Sequence, residues 1–208
     1  MFNTEWLSAF CLFAFAASVT PGPNNLMLMS SGMNYGVRAT LPHLLGVSIG
    51  FLVLLLAVGF GLGALLQRVP LAQMFLHWLG TAYLLYLAWK VATSSSPLHA
   101  AGAAEQTQNP GKPMSFVAAL AFQWVNPKAW LMAISAFATY LPGLAGSLAV
   151  WLLVGLFAAI NAPCITAWAV CGSALRRFLS QALYRRAFNV VMALLLVLSL
   201  DSTWHALH

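Results

Sequence analysis

The chain has 208 residues, of which 62% are apolar and 6% charged, with nine Lys and Arg against three acidic residues. A soluble domain carries about 25% charge, so this surface cannot be solvated as a globule, and its apolar runs reach the ~20 residues that a membrane helix needs. The composition therefore predicts an all-α integral membrane protein with the lipid bilayer as its solvent. The only carboxylates, Glu5, Glu105 and Asp201, lie outside the apolar runs or at their ends, which excludes paired-carboxylate catalysis and oxygen-ligand metal cages. The net charge of +6 is not gathered on a soluble face, so nucleic acid is excluded as a partner. Cys11, Cys164 and Cys171 lie within apolar runs at a spacing that matches no zinc motif, and they read as buried reduced thiols. No metal and no cofactor is expected. The first run is preceded by Glu5 and by no Lys or Arg; it lacks the basic start of a cleaved signal and should remain as a membrane helix.

In chain order, six spans are predicted: about Trp6 to Met33, Leu41 to Leu66, Leu71 to Ala92, Phe116 to Tyr140, Ser147 to Leu175 and Phe188 to Trp204. The polar segment Thr93 to Pro113, rich in Ser, Ala, Gly, Gln and Pro, reads as a flexible linker. It divides a single transmembrane domain into a first unit of about 1–92 and a second of about 114–208. Alternating the loops between two sides puts Arg38, Lys90, Lys112, Arg176, Arg177, Arg185 and Arg186 together and leaves only Arg68 opposite. By the positive-inside rule the first group is cytoplasmic, which places both termini outside a bacterial inner membrane.

The two units also resemble each other at an offset of 104 residues: Pro23 falls on Pro127, Leu26, Met27 and Leu28 on Trp130, Leu131 and Met132, and Ser31 on Ser135. Three spans repeated must return with opposite orientation, so the pattern predicts two inverted three-helix repeats, an architecture typical of secondary transporters.

Spans one and four are both interrupted. In the first, apolar residues from Trp6 to Val19 meet Thr20-Pro21-Gly22-Pro23-Asn24-Asn25 before apolarity resumes at Leu26. The fourteen residues before the break rise only ~21 Å, short of the ~30 Å hydrocarbon core, so the break is placed within the membrane. Phe116 to Asn126 and then Pro127 repeat the pattern. Proline frees backbone groups that lipid cannot satisfy, and these must face protein or a water-filled cavity. Thr20-Pro21 and Asn126-Pro127 each read as an N-cap followed by proline at the first helical position. Two half-helix N-termini would then converge near mid-membrane, an arrangement suited to a substrate carboxylate, with a pair of packing kinks as the plainer reading. Lys128 lies beside the second break, out of snorkelling reach of either surface. With no carboxylate inside a span, it must meet backbone carbonyls, water or the charge of a ligand. Asn161-Ala162-Pro163 in the fifth span is a candidate lining of the same cavity or a simple kink.

Gly46-Val47-Ser48-Ile49-Gly50 matches a nucleophile-elbow pattern, but that elbow needs a strand-to-helix turn with an oriented His and acid. The pairs Gly46/Gly50 and Gly59/Gly63 read instead as close-packing helix faces. His43 and His77 read as packed or interfacial, with a proton relay as the alternative. His205 and His208 belong to a tail.

Thr20-Pro21-Gly22-Pro23-Asn24-Asn25, the Gly36-Val37-Arg38 turn, the run from Leu79 to Lys90 and Asn126-Pro127-Lys128-Ala129 resemble the LysE/RhtB family of amino-acid exporters over essentially the whole chain. The resemblance implies efflux of amino acids or their derivatives, driven by protons, from a bundle of two inverted repeats with no enzymatic activity. Many members carry Asp where this chain has Asn24, which leaves the proton-carrying residue open. The Pro-Gly-Pro-Asn-Asn form and Trp89-Lys90 followed by Ala92-Thr93-Ser94 are closer to the cysteine and O-acetylserine exporter branch than to the lysine branch. A pocket with Lys128 and no carboxylate would repel a cationic side chain, so a small neutral amino acid is the expected substrate. The expected substrate site comprises Thr20, Pro21, Gly22, Pro23, Asn24, Asn25, Asn126, Pro127, Lys128 and Asn161. An intramembrane serine hydrolase using Ser48 and a non-transporting membrane scaffold are the rival readings, and association into a homo-oligomer is left open.

The charge bias generates a direct test of topology. A single cysteine at Ser202 should be labelled by an impermeant thiol reagent on intact cells, and one at Ser95 should not; the opposite pattern inverts the assignment.

Overall fold

The structure is a computed structural model that describes residues 4–64, 68–69, 113–141 and 146–175, with scattered positions between 71 and 89 and at 190, 191 and 194. Six α-helices are defined among these residues, and no strand: α1 (Thr4–Val19), α2 (Pro23–Tyr35), α3 (Val37–Ala57), α4 (Phe116–Phe122), α5 (Pro127–Tyr140) and α6 (Ser147–Leu175). Helix α3 runs on into a π-helical turn, Val58–Leu62.

Among the described residues two stretches, Val37–Leu62 and Ser147–Leu175, are long and apolar enough to cross a membrane unaided. Helix α1 with Pro23–Met33 makes a third only as a pair bent by 55°. The first predicted break is therefore real, and the second occurs between Phe122 and Pro127. The predicted third and sixth spans are described only at isolated helical positions. The linker up to Lys112 lies outside the described residues, as do His77, Lys90, Arg176, Arg177, Arg185, Arg186, Asp201, His205 and His208.

Local chemistry explains the boundaries. One residue, Gly36, joins α2 to α3 at φ 80° and ψ 164°, a region closed to side chains with a Cβ; its N–H still closes α2 on the Gly32 carbonyl at 2.9 Å. Helix α3 starts at Val37, ahead of the predicted Leu41, and so contains Pro42. The carbonyl that Pro42 leaves without its helical donor is that of Arg38, an exposed residue. Ser115 caps α4 by accepting the Ala118 N–H at 3.2 Å.

Glycine sets the helix spacing. Helix α2 packs most extensively against α6. A Cβ on Gly32 would collide with the backbone of Ala169, and one on Gly172 with the backbone of Met29, so the two helices touch main chain to main chain. Helices α3 and α4 are matched in the same way, with Gly46 against Phe116 and Ala119 and Gly50 against Leu120. The Gly46/Gly50 pair is thus a packing face, and Ser48 between them sits inside a continuous helix. Gly59 gives room to the Phe137 ring, whereas the nearest atoms to a Cβ on Gly63, among the described residues, are those of Val58 in the preceding turn. Among the described residues the 59/63 pair shows an interhelical contact at Gly59.

The larger core is aromatic. Phe157 is fully buried and meets Phe10, Phe13 and Phe51 edge-on at centroid distances of 5.9, 6.2 and 5.3 Å. Tyr140 stands against Phe10 at 5.1 Å and donates to the Ala9 carbonyl at 3.2 Å, while Trp6 donates to the Tyr140 carbonyl at 3.3 Å. These bonds fasten the start of α1 to the end of α5. The outer face is also apolar, with Leu12, Val117 and Leu148 each more than two-thirds exposed, as a lipid-facing surface requires. Of the three free thiols Cys164 is buried and Cys11 half-buried, but Cys171 is exposed on that surface, contrary to the expectation of burial.

The glycine contact predicts a sharp contrast within one pair of helices. Gly32→Val forces α2 from α6 and should cost at least the ~1–3 kcal/mol typical of overpacking. Gly155→Val, on α6 where nothing lies within 4 Å, should be neutral. Melting curves of the two purified variants in the same detergent check this.

Candidate functional site

The first break exposes carbonyls around the end of α1, and those of Ala16, Ser18, Thr20 and Pro21 have named donors. Thr20 returns both its N–H, at 3.1 Å, and its hydroxyl to the Ala16 carbonyl. The buried Asn25 side chain donates to the carbonyls of Ser18 at 2.8 Å and Thr20 at 2.9 Å. Lys128 Nζ donates to the carbonyls of Thr20 at 2.5 Å and Pro21 at 3.3 Å. Backbone carbonyls, one of the three classes of partner open to Lys128, are thus among its partners.

Thr20 is not an N-cap. Helix α2 begins at the second proline of the motif, with Gly22 as its cap and Pro23 at the first helical position. The reason lies across the fold: Thr20 and Pro21 must stay extended enough for their carbonyls to face Asn25 and Lys128. Gly22 is needed for space, since a Cβ there would lie 2.6 Å from Lys128 Cδ. No side chain caps α2, so the N–H groups of Asn24 and Asn25 at its first turn keep their polarity for the space in front of them.

The second break follows the predicted pattern. Asn126 caps α5, accepting the Lys128 N–H at 3.2 Å, with Pro127 at the first helical position. The chain between the half-helices tightens into successive short turns: Gln123, Trp124 and Val125 donate to the carbonyls of Leu120, Ala121 and Phe122 at 3.1–3.2 Å. The carbonyl of Trp124 accepts from the Trp130 indole at 2.9 Å. Because its own Asn126 occupies the first N–H, α5 presents a less open terminus than α2.

The two breaks are joined to each other. Asn24 donates to Gln123 Oε1 at 2.7 Å, and Gln123 donates back to Asn24 Oδ1 at 3.1 Å and to the Ala119 carbonyl at 3.0 Å. Gln123 is wholly buried. From α6, Asn161 donates to Ser18 Oγ at 3.0 Å.

Between these groups lies a cavity of about 20 Å³. Its polar lining is Ser18, Asn24, Asn25, Asn126, Lys128 and Asn161, and Phe51 and Met132 contribute to its apolar wall. Of the predicted site residues, Gly22, Asn24, Asn25, Asn126, Lys128 and Asn161 line the cavity; Thr20 and Pro21 contribute carbonyls to Lys128, while Pro23 and Pro127 start the half-helices. Sequence reasoning missed Gln123 and Ser18. A glutamine placed four residues before a break proline, where it can reach back along its helix, was the signal available for the first; nothing local marks the second. The volume suits about one water molecule.

Away from the cavity, His43 on α3 is 1% exposed. Its Nδ1 lies 2.8 Å from Ser31 Oγ of α2, and Nε2 is buried with no partner among the described residues. An unmatched buried polar atom costs about 1–3 kcal/mol.

Residues 15–199 match the family described as LysE type translocator. The cysteine/O-acetylserine efflux proteins of Escherichia coli strain K12 and of Shigella flexneri are each 36% identical to this chain over 198 residues, covering 92% of it and 93% of their own length. That of Escherichia coli O1:K1 is 37% identical over the same span. No solved structure matches. Extent and identity together establish that the chain belongs to the LysE-type translocators, a family of membrane transporters rather than of enzymes.

Proposed function

We propose that this translocator exports small neutral amino acids of the cysteine and O-acetylserine class from the cytoplasm, in exchange for protons, by alternating access around the cavity between the two helix breaks. The observation that carries the reading is Lys128. Two of its three ammonium donors are engaged by the Thr20 and Pro21 carbonyls, and the side chain lines the cavity, facing the uncapped start of α2. A carboxylate placed there would meet one ammonium donor and the first-turn N–H groups together. The remaining polar lining consists of three side-chain amides besides Asn126, and a hydroxyl, with no acid. Amides and hydroxyls can hold a neutral polar side chain, and a second cation has no counter-charge. The names of the relatives support the same substrate class.

The repeat supports the mechanism. Pro23 and Pro127, 104 residues apart, both stand at the first helical position after a break, and each leads through a half-helix to a long apolar helix, α3 or α6. Inverted repeats of this kind let one unit rock against the other about a fixed central site. Because the cavity now holds about one water, binding an amino acid requires such a movement. The seven-to-one loop charge bias, through the positive-inside rule, supports an inner-membrane protein with both termini outside.

Flux from loaded proteoliposomes tests the substrate class. O-acetylserine or cysteine should leave the vesicles, and lysine and arginine should not; movement of the cationic amino acids alone would overturn the assignment. Lys128→Met tests the site. A charge-assisted hydrogen bond contributes about 1.5–3 kcal/mol, so O-acetylserine affinity should fall roughly ten- to a hundredfold, with some loss of melting temperature as the Thr20 and Pro21 carbonyls lose a donor. Unchanged affinity in a destabilised protein would assign Lys128 to capping alone.

A further inference from the structure

We propose that His43 carries the coupling proton, taking it up and releasing it at Nε2 as the α2–α3 contact opens and closes. The inference rests on the export reading above and adds to it the residue through which the proton acts.

The chain leaves few candidates. Its three carboxylates lie outside the spans or at their ends, and position 24 is an amide paired with another amide. Lys128 is held in the cavity by two carbonyls. Among the described residues His43 is the one imidazole inside a span.

Its surroundings give the two protonation states different homes. A neutral imidazole has one N–H and one lone pair. Ser31 satisfies Nδ1 in either tautomer, since a hydroxyl donates or accepts equally well. Nε2 is left buried and without a partner among the described residues. An imidazolium needs acceptors at both nitrogens, which the closed arrangement does not supply at Nε2. Opening the α2–α3 contact would admit water to that atom and stabilise the charged form; closing it expels the proton. A group whose proton affinity differs between two conformations is what thermodynamic coupling requires.

Among the described residues no neighbouring acid holds the proton in place. On the elements packed against α3, the titratable side chains are Tyr35 at the end of α2, Cys164 and Cys171 on α6, and Lys128 and Tyr140 on α5; α4 and the π turn carry none. On α3 itself Arg38 is exposed, five residues before His43. None is an acid, so among the described residues a buried imidazolium has no counter-ion, and the closed state favours release.

The position suits coupling. Val47, one turn along α3 and ~6 Å from His43 by helical rise, lines the cavity. Ser31 is about two turns from Asn24 on α2, ~10 Å. The His43–Ser31 bond and the Asn24–Gln123 pair therefore cross the same seam, between the glycine-matched pair α2–α6 and the glycine-matched pair α3–α4. A change of charge at one link acts on the seam that the other closes.

His43→Gln, which keeps a polar partner for Ser31 but cannot titrate, tests the assignment in proteoliposomes. The variant should retain O-acetylserine counterflow within about twofold, while accumulation driven by an imposed pH gradient should fall about tenfold or more. Gradient-driven accumulation at the wild-type level would overturn the proposal. Should the variant fail to fold, nitrogen-15 NMR of histidine-labelled wild-type protein decides: the His43 ring should change protonation state between about pH 5 and 8 in a manner that depends on O-acetylserine, and a ring that stays neutral throughout overturns it. A wild-type protein that moves O-acetylserine downhill but ignores the gradient would overturn proton coupling and this role together. One that moves no O-acetylserine at all would instead remove the export reading on which the role rests.

Discussion

A helix interrupted inside a membrane exposes backbone groups that lipid cannot satisfy, at several kcal/mol for each group left unmatched. Around the first break this constraint is met from both near and far. Thr20 and Asn25 are local donors, but Lys128 reaches the same carbonyls from the other half of the chain, and Asn24 is matched by Gln123. Neither break is complete without residues of the other. The magnitudes also explain why a cation is tolerated here. Placing a lysine at mid-span costs about 2.5–3.5 kcal/mol on insertion scales, and two hydrogen bonds from a charged donor contribute about 1.5–3 kcal/mol each. The two roughly balance, so Lys128 stays charged in place with one donor to spare.

The parts of this arrangement that were legible in the sequence are those governed by adjacent residues. Pro127 after Asn126 specifies a cap and a first turn whatever surrounds it, and the structure has both. Glycines four apart at 46 and 50 specify close approach, and α4 is the partner. Thr20-Pro21 failed as an N-cap because Gly22-Pro23 satisfies the same local rule two residues later. The choice between them was made by Lys128, 108 residues from Thr20, which no local pattern contains. Ser18 was illegible for the same reason: a serine in an apolar helix has no signature until Asn161 is brought against it.

The order of the polar and apolar layers bears on how the site opens. On the side of the α1 N-terminus, Phe51 of the cavity wall belongs to a cluster of rings with Phe10, Phe13, Phe157 and Tyr140. Edge-on aromatic pairs have several alternatives of similar energy, so this packing can rearrange without leaving polar atoms unmatched. Toward the Gly36 turn the packing is different, because α2 and α6 meet through their main chains at Gly32 and Gly172. No side chain stands between them to change rotamer. That pair is the stiff part of the described structure, and movement is more readily taken up where side chains intervene.

The seam between α2–α6 and α3–α4 has that character. Its packing is apolar, with Leu28 of α2 and Ile165 and Ala169 of α6 against Leu44 and Val47 of α3 and Ala119 of α4. Apolar contacts are non-directional and add in proportion to area, so they hold the seam shut without fixing a register. Direction comes from polar links that cross it, among them the Asn24–Gln123 pair and the His43–Ser31 bond. The amide pair of Asn24 and Gln123 has the same hydrogen-bonding capacity at every physiological pH, since neither side chain titrates. The imidazole of His43 does not: adding a proton converts its lone pair into a donor. Of these two links only the second can titrate, and it lies one turn of α3 from the cavity wall at Val47.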